Sequence, residues 1–312
     1  MKYNNLPGTS VKISQISLGT MMFGEQTNEA DSLSIMDYAY ERGINFWDTA
    51  HGYNEGESER IVGLGMKNRR DEIFVATKMK GFSRHNILRT IDISLKRLDT
   101  DYVDLFYLHQ PDYETCLEET FETMSNLVRM GKVRYIGVSN YAAWQIADIL
   151  ALCDKRGYIA PVISQNVYNA ITRGIEPELI PFLKAHNLGM AVYNPIAAGL
   201  LAGKHKVGEP ATDTRFSNDK KYFERYWTPK NFAAVEKLSK IAEEEGISIL
   251  ELAFRWCAGR EAVTSIIVGM SRLSQLEQNV KIFEGPALSE RAYAACDEVW
   301  HDIAGNQFAY MR

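Results

Sequence analysis

Four polar side chains stand at or just beyond the ends of short apolar runs. They are Asp48 after Ile44-Asn45-Phe46-Trp47, Tyr53 in the loop that follows, Lys78 closing residues 73–77 and His109 closing residues 103–108. The four types make a proton-transfer set. A phenol titrates near 10, so Tyr53 releases its proton at neutral pH only beside a positive charge that favours the phenolate. Lys78 supplies that charge, and Asp48 holds the ammonium by a charge-assisted hydrogen bond that keeps it protonated. His109 donates a hydrogen bond to an oxygen on which negative charge develops. A hydride delivered to a carbonyl carbon leaves such an oxygen, an alkoxide in need of a proton. The set therefore fits carbonyl reduction with Tyr53 as general acid.

Each residue alone has a plainer reading. A lysine at a strand end is often solvated or ion-paired, and a single histidine is usually a satisfied polar side chain. Tyr53 sits in the turn His51-Gly52-Tyr53-Asn54-Glu55-Gly56, where an aromatic cap would be unremarked. Joint placement on one rim outweighs these. Lys78 could instead form a Schiff base, which requires a neutral amine. A carboxylate at Asp48 favours the ammonium and argues against it.

The elements that must position the four are legible in the apolar pattern. Short, often β-branched runs recur at residues 16–18, 44–47, 73–77, 103–108, 135–138, 162–164, 190–193 and 265–268. Continuous runs of this kind suit strands buried on both faces. Helical periods lie between them. Asn28 caps a helix to Arg42 with Leu33, Met36 and Tyr40 on one face and Gly43 as its stop, and Leu117, Phe121, Met124 and Val128 repeat the period before Gly131. Strand and helix in alternation predict an α/β protein, a (β/α)8 TIM barrel over 1–312 as a single domain, with catalytic groups at the carboxyl ends of the strands. An open doubly wound sheet would show the same alternation, but Leu18-Gly19-Thr20-Met21-Met22-Phe23-Gly24 lacks its G-x-G-x-x-G fingerprint. Residues 1–15 are expected to form a hairpin plugging the barrel floor. Residues 198–230 read as a long polar loop after the seventh strand, of the length used for lids.

Composition excludes several classes. The chain is 46% hydrophobic with a net charge of −5 and no basic block, so nucleic acid is a poor partner. The 4 cysteines form no C-x-x-C pair, which argues against a thiol metal site and for buried, reduced thiols; no metal is expected. No apolar leader core and no spanning apolar run stand out, which points to a cytoplasmic enzyme without a membrane partner. Homo-oligomerisation is left open.

Several stretches carry more specific information: Asp48-Thr49-Ala50-His51-Gly52-Tyr53 with Gly56-Glu57-Ser58-Glu59, then Ala76-Thr77-Lys78, then Leu98-Asp99-Thr100-Asp101-Tyr102-Val103-Asp104-Leu105 leading to His109, and Gly131-Lys132-Val133-Arg134-Tyr135-Ile136-Gly137-Val138-Ser139-Asn140. In these the chain closely resembles the aldo-keto reductase superfamily over nearly its whole length, in particular the bacterial and channel-β-subunit branches. The resemblance implies a (β/α)8 barrel, NADPH (with NADH as an alternative donor), a small carbonyl substrate, and Asp48, Tyr53, Lys78 and His109 as the catalytic tetrad.

It also implies cofactor contacts. Gly19, Thr20 and Met21 match the turn near the nicotinamide ribose, Asp48 borders it, and Ser139, Asn140 and Gln165 match the groups that grip the carboxamide. Tyr193 matches the ring stacked on the nicotinamide. Leu200, Gly203 and Lys204 resemble the segment over the pyrophosphate. Gly269, Met270, Ser271, Arg272, Gln275 and Asn279 match the stretch around the adenosine end, with Arg272 suited to a 2′-phosphate. Asn194, in Tyr193-Asn194-Pro195-Ile196, puts an amide where relatives carry a pyrophosphate-facing serine hydroxyl. From position alone, Met22, Phe23, Phe82, Tyr113 and Trp144 are expected to shape the substrate pocket. The alternative function is an NADPH-binding regulatory subunit like the channel β subunits.

Overall fold

Every one of the eight apolar runs becomes a strand. In a computed structural model that describes residues 1–206, 215–218 and 220–305, the hairpin strands are β1 (Tyr3–Asn5) and β2 (Lys12–Ser14). The barrel strands are β3 (Ile16–Gly19), β4 (Phe46–Asp48), β5 (Phe74–Met79), β6 (Val103–Leu108), β7 (Val133–Ser139), β8 (Ile163–Val167), β9 (Gly189–Tyr193) and β10 (Ser265–Gly269). Among the described residues they close into an eight-stranded barrel in the order β10-β3-β4-β5-β6-β7-β8-β9, and the paired strands run parallel. Every residue of β5 and β6 is buried, as two-sided covering by the interior and a helical layer requires.

The chain divides into two compact units. The barrel lies in the first, which comprises Met1–Asn166, Glu176–Tyr193 and Ala262–Val280. Its interior holds Phe46, Phe74, Ala76, Leu105, Tyr107, Ile163, Ala191 and Ile267. Phe46 and Phe74 meet edge to face at 5.3 Å. The antiparallel hairpin inserts Leu6 and Ile13 into the same cluster, both fully buried, so it plugs the barrel as its sequence suggests. Each such side chain adds roughly 1.5–3 kcal/mol of apolar transfer. Asn45, just before β4, fixes the hairpin by accepting from Ser14 N at 2.8 Å and donating to Lys12 O at 3.0 Å.

The helices of this unit are α1 (Glu29–Glu41), α2 (Glu57–Met66), α3 (Arg84–Leu98), α4 (Leu117–Arg129), α5 (Ala143–Arg156) and α6 (Leu179–Ala185). Asn28 caps α1 by accepting from Asp31 N at 2.9 Å, and Gly43 turns the chain out of it at φ +76°. The inward face of α1 differs from the expected Leu33, Met36 and Tyr40. Ser32, Ile35, Met36 and Ala39 are buried, while Leu33 and Tyr40 flank them half-buried. Tyr40 is drawn outward because its hydroxyl donates to Glu72 at 2.9 Å. In α4, Phe121 and Met124 are buried as expected, and Leu127 takes the inward place given to Val128.

The second unit comprises Val167–Ile175, Asn194–Glu261 and the described residues from Lys281. Much of the connection expected as a loop at 198–230 is helical: a 3₁₀ segment (Ala197–Ala202), α7 (Arg215–Asn218) and α8 (Lys220–Tyr226). Residues 207–214 and 219 of that connection lie outside the described residues. His205, Phe216, Trp227 and Phe232 pack edge to face, and these rings order a stretch whose mean composition looked polar. Further along lie α9 (Pro229–Glu244), α10 (Ile249–Ala258), α11 (Leu273–Glu284, whose start belongs to the first unit) and α12 (Glu290–Ala304). Cys153, Cys257 and Cys296 are buried and free; Cys116 is free but exposed, against the expectation of buried thiols throughout.

Candidate active site

The barrel strands bring the four chemistry-bearing residues together inside the first unit. Asp48 is the last residue of β4, Lys78 the penultimate residue of β5, and His109 the first residue past β6. Tyr53 opens a 3₁₀ turn (Tyr53–Gly56) after β4. His109 N donates to Met79 O at 3.0 Å, which fixes the β6 exit beside the end of β5.

Lys78 is fully buried, and its ammonium has three donors to place. Nζ donates to Asp48 Oδ1, to Thr49 O at 2.7 Å and to Tyr53 Oη at 3.4 Å. Nζ also lies 5.0 Å from the centre of the Tyr53 ring. The second oxygen of Asp48 accepts from Gln165 Nε2 at 2.9 Å. Burial pulls the Lys78 ammonium down, but the charge of Asp48 and the neighbouring Tyr53 outweigh it and hold the group above an ordinary lysine. Burial raises Asp48 against the opposing pull of Lys78 and its hydrogen bonds. With the ammonium so held, the pair is ionic, and the cation sits under the Tyr53 hydroxyl.

His109 lies beside Tyr53, ring centres 6.1 Å apart and planes 78° apart. Burial, then the charges of Lys78 and Lys80, push its pKa down to about 3. At neutral pH it is a neutral imidazole with one N–H to donate. Its backbone is tied into a further network. Asn140 Nδ2 donates to His109 O and to Ser139 Oγ, both at 3.0 Å, and Tyr193 Oη donates to Asn140 Oδ1 at 2.7 Å. Asn140 adopts φ +64°, a left-handed conformation that asparagine tolerates better than most residues.

A second polar cluster holds the Tyr53 turn and carried no assigned role in the sequence. Arg97, in the last turn of α3, donates to His51 O and to Glu55 O, both at 3.1 Å, clamping the turn from each side. Its charge meets the fully buried Glu59 at 3.2 Å, and Glu59 also accepts from Thr77 Oγ1 at 2.6 Å. Gly56 makes the approach possible: at φ +97°, a Cβ there would fall 2.0 Å from Arg97 Cζ. The signal was the string Gly56-Glu57-Ser58-Glu59, since a glycine and a carboxylate flank the same turn. Asn54 closes the other side, donating to Met21 O at 2.9 Å and Phe23 O at 2.8 Å.

Other expected positions divide. Thr20 is fully buried, and its hydroxyl donates to Asp48 O at 3.0 Å and meets Ser58 Oγ at 2.8 Å, so it scaffolds the β4 exit. Gly19 abuts Ile267, while Met21 is exposed. After β10, Met270 is buried, and Gln275 Oε1 accepts from Ser271 N at 2.9 Å, shaping the 269–275 turn. Arg272 is exposed and makes no ion pair among the described residues. Asn279 is buried on α11. In the second unit, Asn194 (φ +59°) accepts from Ala198 N at 3.2 Å, and its buried Nδ2 has no partner among the described residues. There Leu200 is buried, Gly203 takes φ +72°, and Lys204 is exposed. Of the supposed substrate-shaping residues, Phe23 and Phe82 are buried in the core because their loops fold back, and Met22 is half-buried. Tyr113 and Trp144 are exposed, at 81% and 59%.

Comparison with known proteins identifies the family of the chain. The sequence pattern of the Aldo/keto reductase family matches residues 15–301. The "Probable voltage-gated potassium channel subunit beta" of Arabidopsis thaliana is 35% identical over 90% of this chain and 90% of its own. The human "Aflatoxin B1 aldehyde reductase member 2" is 35% identical over 95% of this chain and 89% of its own. The human "Aldo-keto reductase family 7 member A3" is 36% identical over 95% of this chain and 96% of its own. The chain belongs to the aldo/keto reductase family. No helix among the described residues is long and apolar enough to cross a membrane.

Proposed function

We propose that this aldo/keto reductase reduces aldehydes or ketones to alcohols with NADPH, Tyr53 serving as general acid. The observation that carries the reading is the fully buried Lys78 ammonium, held by Asp48 and directed at the Tyr53 hydroxyl. A Schiff-base role for Lys78 would need the neutral amine, which its neighbours disfavour.

The residues present fit a dinucleotide. In the first unit the exposed Arg272 guanidinium, which forms no ion pair among the described residues, can meet a phosphate. Ser139, Asn140 and Gln165 would hold the carboxamide, Tyr193 would stack on the ring, and Arg272 favours NADPH over NADH. When bound, the cofactor supplies the hydride to the carbonyl carbon. The protein's residues manage the oxygen. Neutral His109 donates one N–H to it and orients it. Tyr53 passes its proton to it as charge develops, and Lys78 stabilises the phenolate left behind. Asp48 keeps Lys78 charged and in place through the cycle. Exposed Tyr113 and Trp144 offer apolar contact to the rest of the substrate.

Loss of NADPH absorbance with a panel of aldehydes and ketones, wild type against Tyr53→Phe, tests the reading. Turnover that requires both a carbonyl and Tyr53 is expected, with a fall of about 10²–10⁴ in kcat for the variant. Undiminished turnover by Tyr53→Phe overturns the assignment. The similarity to the plant channel subunit favours one second reading, a regulatory NADPH-binding protein; tight binding without multiple turnovers on any carbonyl would support it.

A further inference from the structure

Tyr107 is a buried titratable group that the proposed chemistry does not use. It lies two residues before His109 on β6, in register with Lys78 on β5 and with Gly137 on β7. Its side chain enters the barrel interior and is fully buried. Gly137 provides the room, because a Cβ there would lie 2.5 Å from the Tyr107 ring. Burial, reinforced by the negative charge of Asp48, pushes the phenol well above its ordinary value. At neutral pH it is therefore a neutral hydroxyl that can donate a hydrogen bond.

That hydroxyl has no hydrogen-bond partner among the described residues. An unmet donor in an interior is a free-energy cost that phenylalanine would avoid while filling the same space. Its polar neighbours are Asp48 and Gln165. Gln165 lies against the hydroxyl without reaching hydrogen-bond geometry, and its Nε2 is engaged with Asp48 Oδ2 at 2.9 Å. Gln165 thus has two claims on it: Asp48 in this structure, and the carboxamide of the proposed cofactor.

We propose that Tyr107 is a positioning residue for Asp48: its hydroxyl replaces Gln165 as the donor to Asp48 when Gln165 turns to the nicotinamide carboxamide. The inference rests on the reading that NADPH binds at this site. A carboxylate oxygen has more than one lone pair to offer, so Asp48 can accept from Tyr107 while it still accepts from Lys78. Asp48 keeps two donors throughout, and the cofactor can recruit Gln165 without leaving a buried carboxylate short of one.

The test is a cycle of Tyr107→Phe and Gln165→Leu in the full chain, read by thermal unfolding without cofactor and by NADPH affinity from fluorescence titration. Tyr107→Phe alone is expected to leave Tm unchanged or raise it, yet to weaken NADPH binding about tenfold, the loss of one hydrogen bond to a charged group. In the Gln165→Leu background the hydroxyl has Asp48 to itself, so Tyr107→Phe should now lower Tm, by about 2–4 °C. A Tm loss from Tyr107→Phe in the wild-type background shows that the hydroxyl is already partnered and overturns the inference. Unchanged NADPH affinity also overturns it. No NADPH binding by the wild type sinks the functional reading and the carboxamide trigger with it, while the stability cycle still decides whether Tyr107 can stand in for Gln165.

Discussion

Replacing Asp48 by asparagine keeps the shape of the side chain and removes its charge, which isolates what the carboxylate does for Lys78. The ammonium is fully buried, and Asp48 is the carboxylate paired with it. Removing one partner of a buried pair typically costs 3–5 kcal/mol, because the other charge is left uncompensated. The asparagine amide worsens matters: whichever way it turns, its NH₂ faces either the Lys78 ammonium or Gln165 Nε2, both of which are donors now satisfied by Asp48. For a chain of this size, such a loss lowers Tm on the order of 10 °C. The pH dependence carries the sharper signature. In the wild type the folded Lys78 pKa is raised, so its contribution is complete below the unfolded value of about 10.4 and is lost only as pH climbs through the folded value. In Asp48→Asn the folded value falls below 10.4, the unfolded chain binds the extra proton, and the deficit shrinks as pH rises toward 10.4. Thermal unfolding at pH 6, 7, 8 and 9, wild type against variant, reads both effects. A deficit that is small at pH 7, or that stays constant from pH 6 to 9, would refute the ion-pair description.

Three other outcomes follow from the same geometry. His109 is held at about 3, below the unfolded value near 6.5, so the stability linked to it is complete above about 6.5 and is lost as pH falls toward 3; this acid sensitivity should weaken in His109→Gln, followed by denaturant unfolding between pH 4 and 7. Gly56→Ala should cost more than about 1 kcal/mol and lower kcat together, since the left-handed φ and the 2.0 Å approach of its Cβ to Arg97 both force the Tyr53 turn to move; a variant with normal kcat would show that the clamp is irrelevant to Tyr53. Arg272→Ala should raise KM for NADPH and leave KM for NADH nearly unchanged, whereas equal effects on both would remove Arg272 from the 2′-phosphate.

Much of this was legible from residues 16–268 because buried parallel strands are written as uninterrupted apolar runs, and a strand's end identifies which rim its next polar residue occupies. Asp48, Lys78 and His109 could be placed for that reason. Tyr53 needed only the turn after β4. What the pattern could not carry were contacts between side chains distant in sequence. Arg97 looks like any basic residue at the end of a helix, yet it reaches back to His51 and Glu55. Phe23 and Phe82 follow strand ends just as Tyr113 does, but Asn54 and Asp112 draw their loops inward through main-chain hydrogen bonds. The connection at 198–230 misled through its mean polarity, because His205, Phe216 and Trp227 are too widely spaced to register as an apolar run but converge once folded.

The buried pair at the centre of the site is poorly explained as a source of stability. Two charges taken out of water regain little more than their desolvation cost, and apolar replacements of similar shape are often equally stable. If Asp48 and Lys78 are present for chemistry, the loss in Asp48→Asn comes from the stranded ammonium and not from a missing favourable contact. Adding Lys78→Met to Asp48→Asn removes that charge while preserving the straight side chain. Relative to Asp48→Asn the newly unmet group is Thr49 O, which accepted from Nζ at 2.7 Å, with the long 3.4 Å contact to Tyr53 Oη also lost. The amide NH₂ lacks an acceptor in the single and double variants alike, while the amide oxygen can still accept from Gln165 Nε2. One unmatched carbonyl costs about 1–3 kcal/mol, less than a bare buried charge. The double variant should therefore unfold at a higher temperature than Asp48→Asn alone, show none of its pH dependence, and have no more activity than Tyr53→Phe. Should the double variant be less stable than the single one, Lys78 would be contributing packing or hydrogen bonds that outweigh its charge, and the pair would have to be regarded as structural first and catalytic second.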